Sequence, residues 1–515
     1  MKQPESASKK IIMNTGILYA KMLVTMGISL YSTRVVLNAL GETDYGIFSL
    51  IFGIITMLSF LNAAMTTSTQ RYLSFYQGKG DVLMQNKIFV NSWVLHILTG
   101  FIVVVLLEII VPFLFDGFLN IPEERVSTAK AVYHFMTVSV FFTIISAPFT
   151  ASLNAHENML WIAIIYILEV SFKLVIALFL FYFTHSKRLI MFGSFTTGIS
   201  VISFLLYSTY CLKKYKECII RNYRIEKSII KELYAFTGWN LFGAFAWTGR
   251  VQGLAILLNI FYGAVINTSF GIANQISGQM TILSATLLRA LNPQIMKSEG
   301  MSNRQRMLRL SMIASKFGFF LVAVIAIPCI FEMSFILKFW LKDVPEYTAT
   351  FCSLFLIGLL INQLTIGLQS AIQATGKIKM YQSVISGILL FNLPVSYVLL
   401  KFNLPVYSVL VSFITIESVC CIFRLIFLQK AANLSIYEYF KKVFYKELFP
   451  ISFLILSCWL ISHIFIFDYR FIITGSLSAI VFAIGIYFTG LCKDEKILVN
   501  SLMIKLKITI MSIFH

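Results

Sequence analysis

The chain has 515 residues, of which 58% are hydrophobic and only 13% charged, with a mean hydropathy of +0.82. Soluble domains carry about 25% charged residues, so a water-soluble fold of this length could not cover its apolar surface. The charge is also unbalanced, 42 Lys and Arg against 23 Asp and Glu for a net +19, which suits anionic lipid, nucleic acid or an anionic substrate until the basic residues are placed.

A bilayer-crossing helix needs about 20 mainly apolar residues. In chain order such stretches run at 11–33, 44–66, 89–115, 132–151, 158–183, 190–211, 234–259, 264–287, 310–336, 348–372, 380–400, 406–428, 448–467 and 471–491. They are continuous rather than alternating, which argues against a transmembrane β-barrel. The first is longer than the apolar core of a signal peptide and is read as an uncleaved span. The second and eighth are rich in Thr, Ser, Asn and Gln. The predicted fold class is an all-α integral membrane protein of about fourteen transmembrane helices.

Of the 42 basic residues, nine fall at outside ends and loops, four inside spans (Lys21, Lys173, Arg250, Lys316), and the other 29 on the side of the N-terminus. The positive-inside rule then makes both termini cytoplasmic. Most of the excess charge is thereby topology and contact with membrane lipids, and no nucleic-acid partner is needed. No loop is large enough for a catalytic domain, no G-x-x-x-x-G-K-[ST] occurs, and the six histidines are dispersed. The eight cysteines are scattered and read as small buried thiols. Neither an enzyme, a resident cofactor, a metal site nor a disulfide is expected.

Loop lengths repeat between spans 1–6 and 7–12, and Thr15-Gly16 matches Thr237-Gly238. Six spans is an even number, so two parallel repeats forming two lobes around a central cavity are expected, followed by two C-terminal helices. The predicted organisation is an N-lobe over 1–211, a basic cytoplasmic linker over 212–233, a C-lobe over 234–428, a second linker over 429–447, and spans 13–14 with a cytoplasmic tail over 448–515. The second linker reads equally as an interfacial amphipathic helix or a plain loop.

A charge at the bilayer centre costs at least about 2.5 kcal/mol, so charged residues at membrane depth point to function. Lys21 and Arg250 sit in repeat-related spans with no acidic residue in either span, which suits an anion such as phosphate; snorkelling to the interface is the plainer alternative. Arg34 would form the outer rim of such a cationic cleft, or simply anchor the span. Glu169 and Lys173 are spaced i, i+4 and either neutralise one another or serve ion coupling. Glu417 and Glu108 lack a same-helix partner, and Glu417 joins Glu169 and Lys173 as a candidate for coupling H⁺ or Na⁺. Asn62 and Thr66 in span 2, and Asn267, Asn274, Gln275 and Gln279 in span 8, line a polar cavity or hydrogen-bond neighbouring helices. Pro112, Pro148, Pro328 and Pro394 fall in or near spans and can kink them.

The opening stretch from Asn14 to Ser74 carries a first span ending in Arg34, then Leu40-Gly41, Asp44-Tyr45-Gly46 and Phe48-Ser49-Leu50, then a polar span ending at Gln70-Arg71-Tyr72. This resembles the N-terminus of bacterial polysaccharide-biosynthesis flippases, the O-antigen type within the multidrug/oligosaccharidyl-lipid/polysaccharide exporter superfamily. The resemblance implies a protein of the bacterial inner membrane that moves an undecaprenyl-diphosphate-linked oligosaccharide across it by alternating access. It also implies a polysaccharide polymerase and other assembly proteins as partners. Two alternatives stand beside it: a cation-coupled drug or small-molecule antiporter of the same superfamily, and a lipid II flippase.

Overall fold

A computed structural model describes residues 4–56, 59–115, 119, 121–219, 226–341, 343–464, 469–497 and 499–500. The predicted tail 501–515 and residues 220–225 of the basic linker lie outside the described residues. Every regular element among the described residues is helical: α1 (Pro4–Thr56), α2 (Ser59–Lys79), α3 (Val82–Phe113), α4 (Glu123–Ala155), α5 (Met159–Phe179), α6 (His185–Lys214), α7 (Lys227–Tyr262), α8 (Ala264–Gly300) and α9 (Arg304–Phe331). The chain continues through α10 (Met333–Leu341), α11 (Thr348–Gln363), α12 (Ile366–Thr375), α13 (Ile378–Lys401), α14 (Ser408–Ala432), α15 (Ile436–Tyr439), α16 (Tyr445–Ile464) and α17 (Arg470–Gly485).

Local chemistry sets many of these boundaries. The carboxylate of Asp81 accepts the Met84 amide at 2.9 Å and caps α3, and Ser435 caps α15 through the Glu438 amide at 3.2 Å. Asn433, in the left-handed region, ends α14. The break inside α1 falls at Gly41, whose φ of 79° and ψ of 170° are open to glycine alone. The chain therefore turns at the Leu40-Gly41 pair noted in the sequence.

Among the described residues, eleven helices are long and apolar enough to cross a membrane, and the bent pair α11–α12 makes a twelfth. Fourteen were expected. The shortfall is at the two polar stretches: α8 is a 37-residue helix too rich in Asn, Gln, Ser and Thr to qualify, and 44–66 is divided between the end of α1 and α2. Large exposed side chains such as Leu23, Phe101, Ile109 and Phe113 clothe the spans, as lipid solvation favours. Pro112, Pro148, Pro328 and Pro394 all lie within helices.

The chain forms two compact units, Met1–Ala244 with Arg289–Asn303, and Phe245–Leu288 with Arg304–His515. The boundary thus cuts through α7 and α8 rather than the 212–233 linker. The first unit packs around Leu40, Tyr133, Leu180 and Phe192, the second around Leu254, Phe351, Leu356 and Leu410. In the second unit α16 and α17 pack on α9. Arg470, expected in an outside link, forms a two-pronged pair with buried Glu332, both prongs at 2.8 Å, and Thr474 donates to the same carboxylate at 2.8 Å.

Two loop expectations are corrected, and the second linker, open between helix and loop, proves mostly helical. The 289–309 stretch is helical to Gly300, because Ala290, Leu291, Ile295 and Met296 form an apolar face that is buried in the first unit. Arg424, expected at a loop edge, lies buried inside α14, donating to Thr365 Oγ1 at 3.1 Å and Tyr381 Oη at 3.3 Å. The 429–447 linker is mostly helical: α15 leads through a π-helical turn over Phe440–Phe444 directly into α16, with Tyr439 and Val443 buried.

Candidate functional site

The sequence put two unpaired cations in a cleft, Lys21 and Arg250. The structure separates their fates. Lys21, on α1, is half-buried against α5, with Nζ 3.7 Å from the centre of the Tyr166 ring. It makes no ion pair among the described residues. The charged groups that face it are Arg289, on the first unit's part of α8, and Glu169 on α5. Glu169 accepts from Lys173 at 3.0 Å, as the i, i+4 spacing predicted. Glu169 and Arg289 also face the buried phenol of Tyr207 on α6. Nearby on the same two helices, Trp161 stacks on Tyr210 with centroids 4.5 Å apart. Three cations and one carboxylate share this patch. With phenol hydroxyls and aromatic faces alongside, it can hold the anionic head of an amphiphilic molecule.

Arg250 is no cleft cation. It is fully buried in the second unit, and Nη2 donates to Glu417 Oε1 at 2.6 Å. The other carboxylate oxygen of Glu417 accepts from Asn362 Nδ2 at 2.9 Å. The guanidinium also lies over Phe413 at 4.0 Å and Trp247 at 4.7 Å. The counter-charge was invisible to a search within one helix, because it arrives from α14, 167 residues away. Glu417 likewise has a partner after all, and Glu108 pairs with His134 of α4 at 2.9 Å. Lys316, placed inside a span by the sequence, is buried and donates to Glu495 at 2.5 Å.

The remaining site candidates are dispersed. Arg34 is exposed on α1 and makes no ion pair among the described residues. Thr66 donates to the Asn62 carbonyl at 2.8 Å, one turn back on its own helix, so its hydroxyl is used locally. Asn62, Asn267 and Asn274 are half-buried, whereas Gln275 and Gln279 are exposed.

A third constellation closes the end of the first unit where Lys10, Lys213 and Lys297 lie, called here the basic end. Glu157, between α4 and α5, is 3% exposed and has a φ of 58°. Its carboxylate accepts from Lys297 at 2.6 Å and Gln294 at 2.7 Å, with Lys10 at 3.7 Å. Burial alone would raise the Glu157 carboxyl, but these donors outweigh it and hold it below its ordinary value. Next to it His156 stacks on Tyr215 at 3.9 Å and pairs with Glu217 at 2.5 Å. Here α2 and the end of α8 touch backbone to backbone: a Cβ on Gly78 would lie 2.2 Å from the Lys297 carbonyl oxygen, and one on Gly300 1.9 Å from that of Phe75.

Sequence reasoning missed Arg289, Tyr166 and Glu157. Arg289 was assigned to a basic loop, yet the apolar run Leu287, Leu288, Leu291 and Ile295 around it has helical spacing and could have placed it on a helix.

Residues 18–179 match the MatE family. No curated relative matches the sequence. Among solved structures, the fold is similar to a multidrug resistance MATE family transporter of the MOP superfamily in its outward-facing conformation, with a TM-score of 0.72 at 14% identity. It is also similar to a MATE in the bent conformation (TM-score 0.74, 13% identity) and to a MOP superfamily transporter from Pyrococcus furiosus whose binding pocket has reversed polarity (0.70, 13%). Each alignment covers 83% of this chain and 96% of the other. The chain thus has the MATE transporter fold, that of a multi-pass membrane transporter.

Proposed function

We propose that the protein is a cation-coupled antiporter that moves an amphiphilic organic molecule across the bacterial inner membrane by alternating access, with both termini cytoplasmic. The likeness to solved transporters over 96% of their length carries this reading. Coupling needs a carboxylate at membrane depth whose internal cation can be exchanged. Glu169 meets that need better than Glu417: its partner Lys173 is half-buried on the same helix, whereas Arg250 is locked beneath Phe413 and Trp247. H⁺ or Na⁺ would then replace Lys173 at Glu169. The surplus of positive charge around Lys21 and Arg289 favours an anionic amphiphile.

The same surplus supports a second reading, a flippase for an undecaprenyl-diphosphate-linked oligosaccharide, since a diphosphate needs two cations. Both readings are tested with purified protein in proteoliposomes under an imposed H⁺ or Na⁺ gradient. Anilinonaphthalene sulfonate serves as the anionic probe and ethidium as the cationic one. Antiport predicts gradient-driven transport abolished by Glu169→Gln, and the anionic preference predicts that Lys21→Ala with Arg289→Ala spares ethidium alone. No gradient-driven transport of either probe, together with inner-leaflet accumulation of the lipid-linked oligosaccharide in a deletion strain, favours the flippase.

A further inference from the structure

The second unit holds a buried carboxyl group with no hydrogen-bonded partner. Glu447, in the first turn of α16, is 1% exposed, and neither carboxylate oxygen has a hydrogen-bond partner. The buried carboxylates of Glu157, Glu332 and Glu417 each have a Lys or Arg within hydrogen-bond reach. The charged group that faces Glu447 is Lys316 of α9, and the buried phenol of Tyr439 of α15 faces it too. Lys316 is already engaged: Nζ donates to Glu495 Oε2 at 2.5 Å and lies 3.7 Å from Cys492 Sγ.

Glu495 belongs to the short segment 491–497 that follows α17 and its π-helical turn over Ile486–Gly490. The segment is held in three ways. The Cys492 amide donates to Glu495 at 2.7 Å, which leaves Lys316 gripping a carboxylate that caps the segment. Lys496 Nζ donates to the Phe488 carbonyl at 3.0 Å, and Asp494 pairs with Arg309. Beneath lies a cavity of about 210 Å³, lined among others by Arg309, Lys316, Lys442, Cys492, Asp494 and Glu495. Lys316 therefore has two acidic claimants, Glu495 in contact and Glu447 facing it. The ionised form of Glu447 would be a buried charge with no donor, which is costly unless it binds a proton or captures Lys316.

We propose that Glu447 is a proton-binding site, and that its occupancy decides whether segment 491–497 stays docked on α9. With a proton on Glu447, the group is neutral and Lys316 remains on Glu495. When that proton leaves to the solvent, the Glu447 carboxylate competes for Lys316, Glu495 loses its partner and the segment loosens. The groups facing the exchange are Tyr439 of α15, Arg424 of α14 behind Tyr439, and Arg309 and Lys442 at the cavity wall. Two π-helical turns, before α16 and after α17, flank the site, and such turns are frequent where a helix serves function. The inference is independent of the transported substrate.

The test is hydrogen exchange of backbone amides 491–497 in the intact purified protein, corrected for the intrinsic pH dependence of exchange, between about pH 6 and pH 9. Wild-type protein is expected to lose protection by about fivefold or more as pH rises, one to two kcal/mol being a factor of 5–30. Glu447→Gln, a permanent neutral mimic of the same shape, should keep the segment protected at every pH. Glu495→Gln and Lys316→Met should leave it unprotected at every pH. A flat corrected profile in the wild type, or a loss of protection that survives in E447Q, overturns the proposal.

Discussion

Neutralising Arg250 without its partner should destabilise the second unit severely. In Arg250→Met the Glu417 carboxylate stays buried with a single donor, Asn362 at 2.9 Å, and no cation. Breaking a buried pair by removing one partner costs about 3–5 kcal/mol, whereas replacing both by apolar side chains is often neutral or stabilising. The remaining Asn362 hydrogen bond puts Arg250→Met near the lower end, about 3 kcal/mol. Glu417→Met strands a guanidinium that keeps its contacts with Phe413 and Trp247, and a similar loss of about 3 kcal/mol is expected. Arg250→Met with Glu417→Met should return to within about 1–2 kcal/mol of wild type, giving a coupling energy of several kcal/mol. The assay is reversible unfolding in mixed micelles titrated with sodium dodecyl sulfate. Singles that cost under about 1 kcal/mol, or a double variant as unstable as the sum of the singles, would refute a buried pair. Because the pair is placed outside the substrate patch, the refolded double variant should also still transport.

At the basic end, Gly78→Ala and Gly300→Ala should each cost about 1–3 kcal/mol, because the new methyl meets a backbone carbonyl that can yield only if α2 and α8 part; Gly16→Ala, with nothing within 4 Å, is the control in the same unfolding assay. The Glu157 carboxyl is held below its ordinary value, so its contribution is present above about pH 4 and lost as pH falls through its own lower value. Hydrogen exchange over 294–303 should accordingly rise on acidification in wild-type protein and be raised at all pH values in Glu157→Gln. Arg470→Lys cannot reproduce the two-pronged bond to Glu332, and should selectively loosen α17 in hydrogen exchange while leaving α1–α6 unchanged.

The spans were legible because a bilayer imposes one simple requirement, a long apolar helix, and composition records it. Intrahelical features were legible too: the Glu169–Lys173 pair depends only on a spacing of four. What stayed hidden depends on which helix lies beside which. Arg250 looked unpaired since Glu417 is remote in sequence. Lys316 showed no counter-charge in its span since Glu495 comes from a segment after the last span. Polar runs misled in the opposite direction. Hydroxyl-rich 44–66 looked like one soft span, whereas part of its polarity is absorbed by bonds from residues such as Thr66 back to their own helix. The basic stretch 289–309 looked like a loop because charge was weighed above the apolar face that interrupts it.

The division of α7 and α8 between the two units has a consequence for inheritance and engineering. Halves that arise by duplication are often pictured as interchangeable cassettes, with the joint at the connecting loop. Here the connection from α6 to α7 falls in the first unit, and a cut there strips residues 227–244 and 289–303 from the body they pack with. Such a cut would give fragments able to work only by reassembling with each other. A hybrid drawing its second half from a distant homologue would have to import matching partners for Glu157 and for Gly78 along with it.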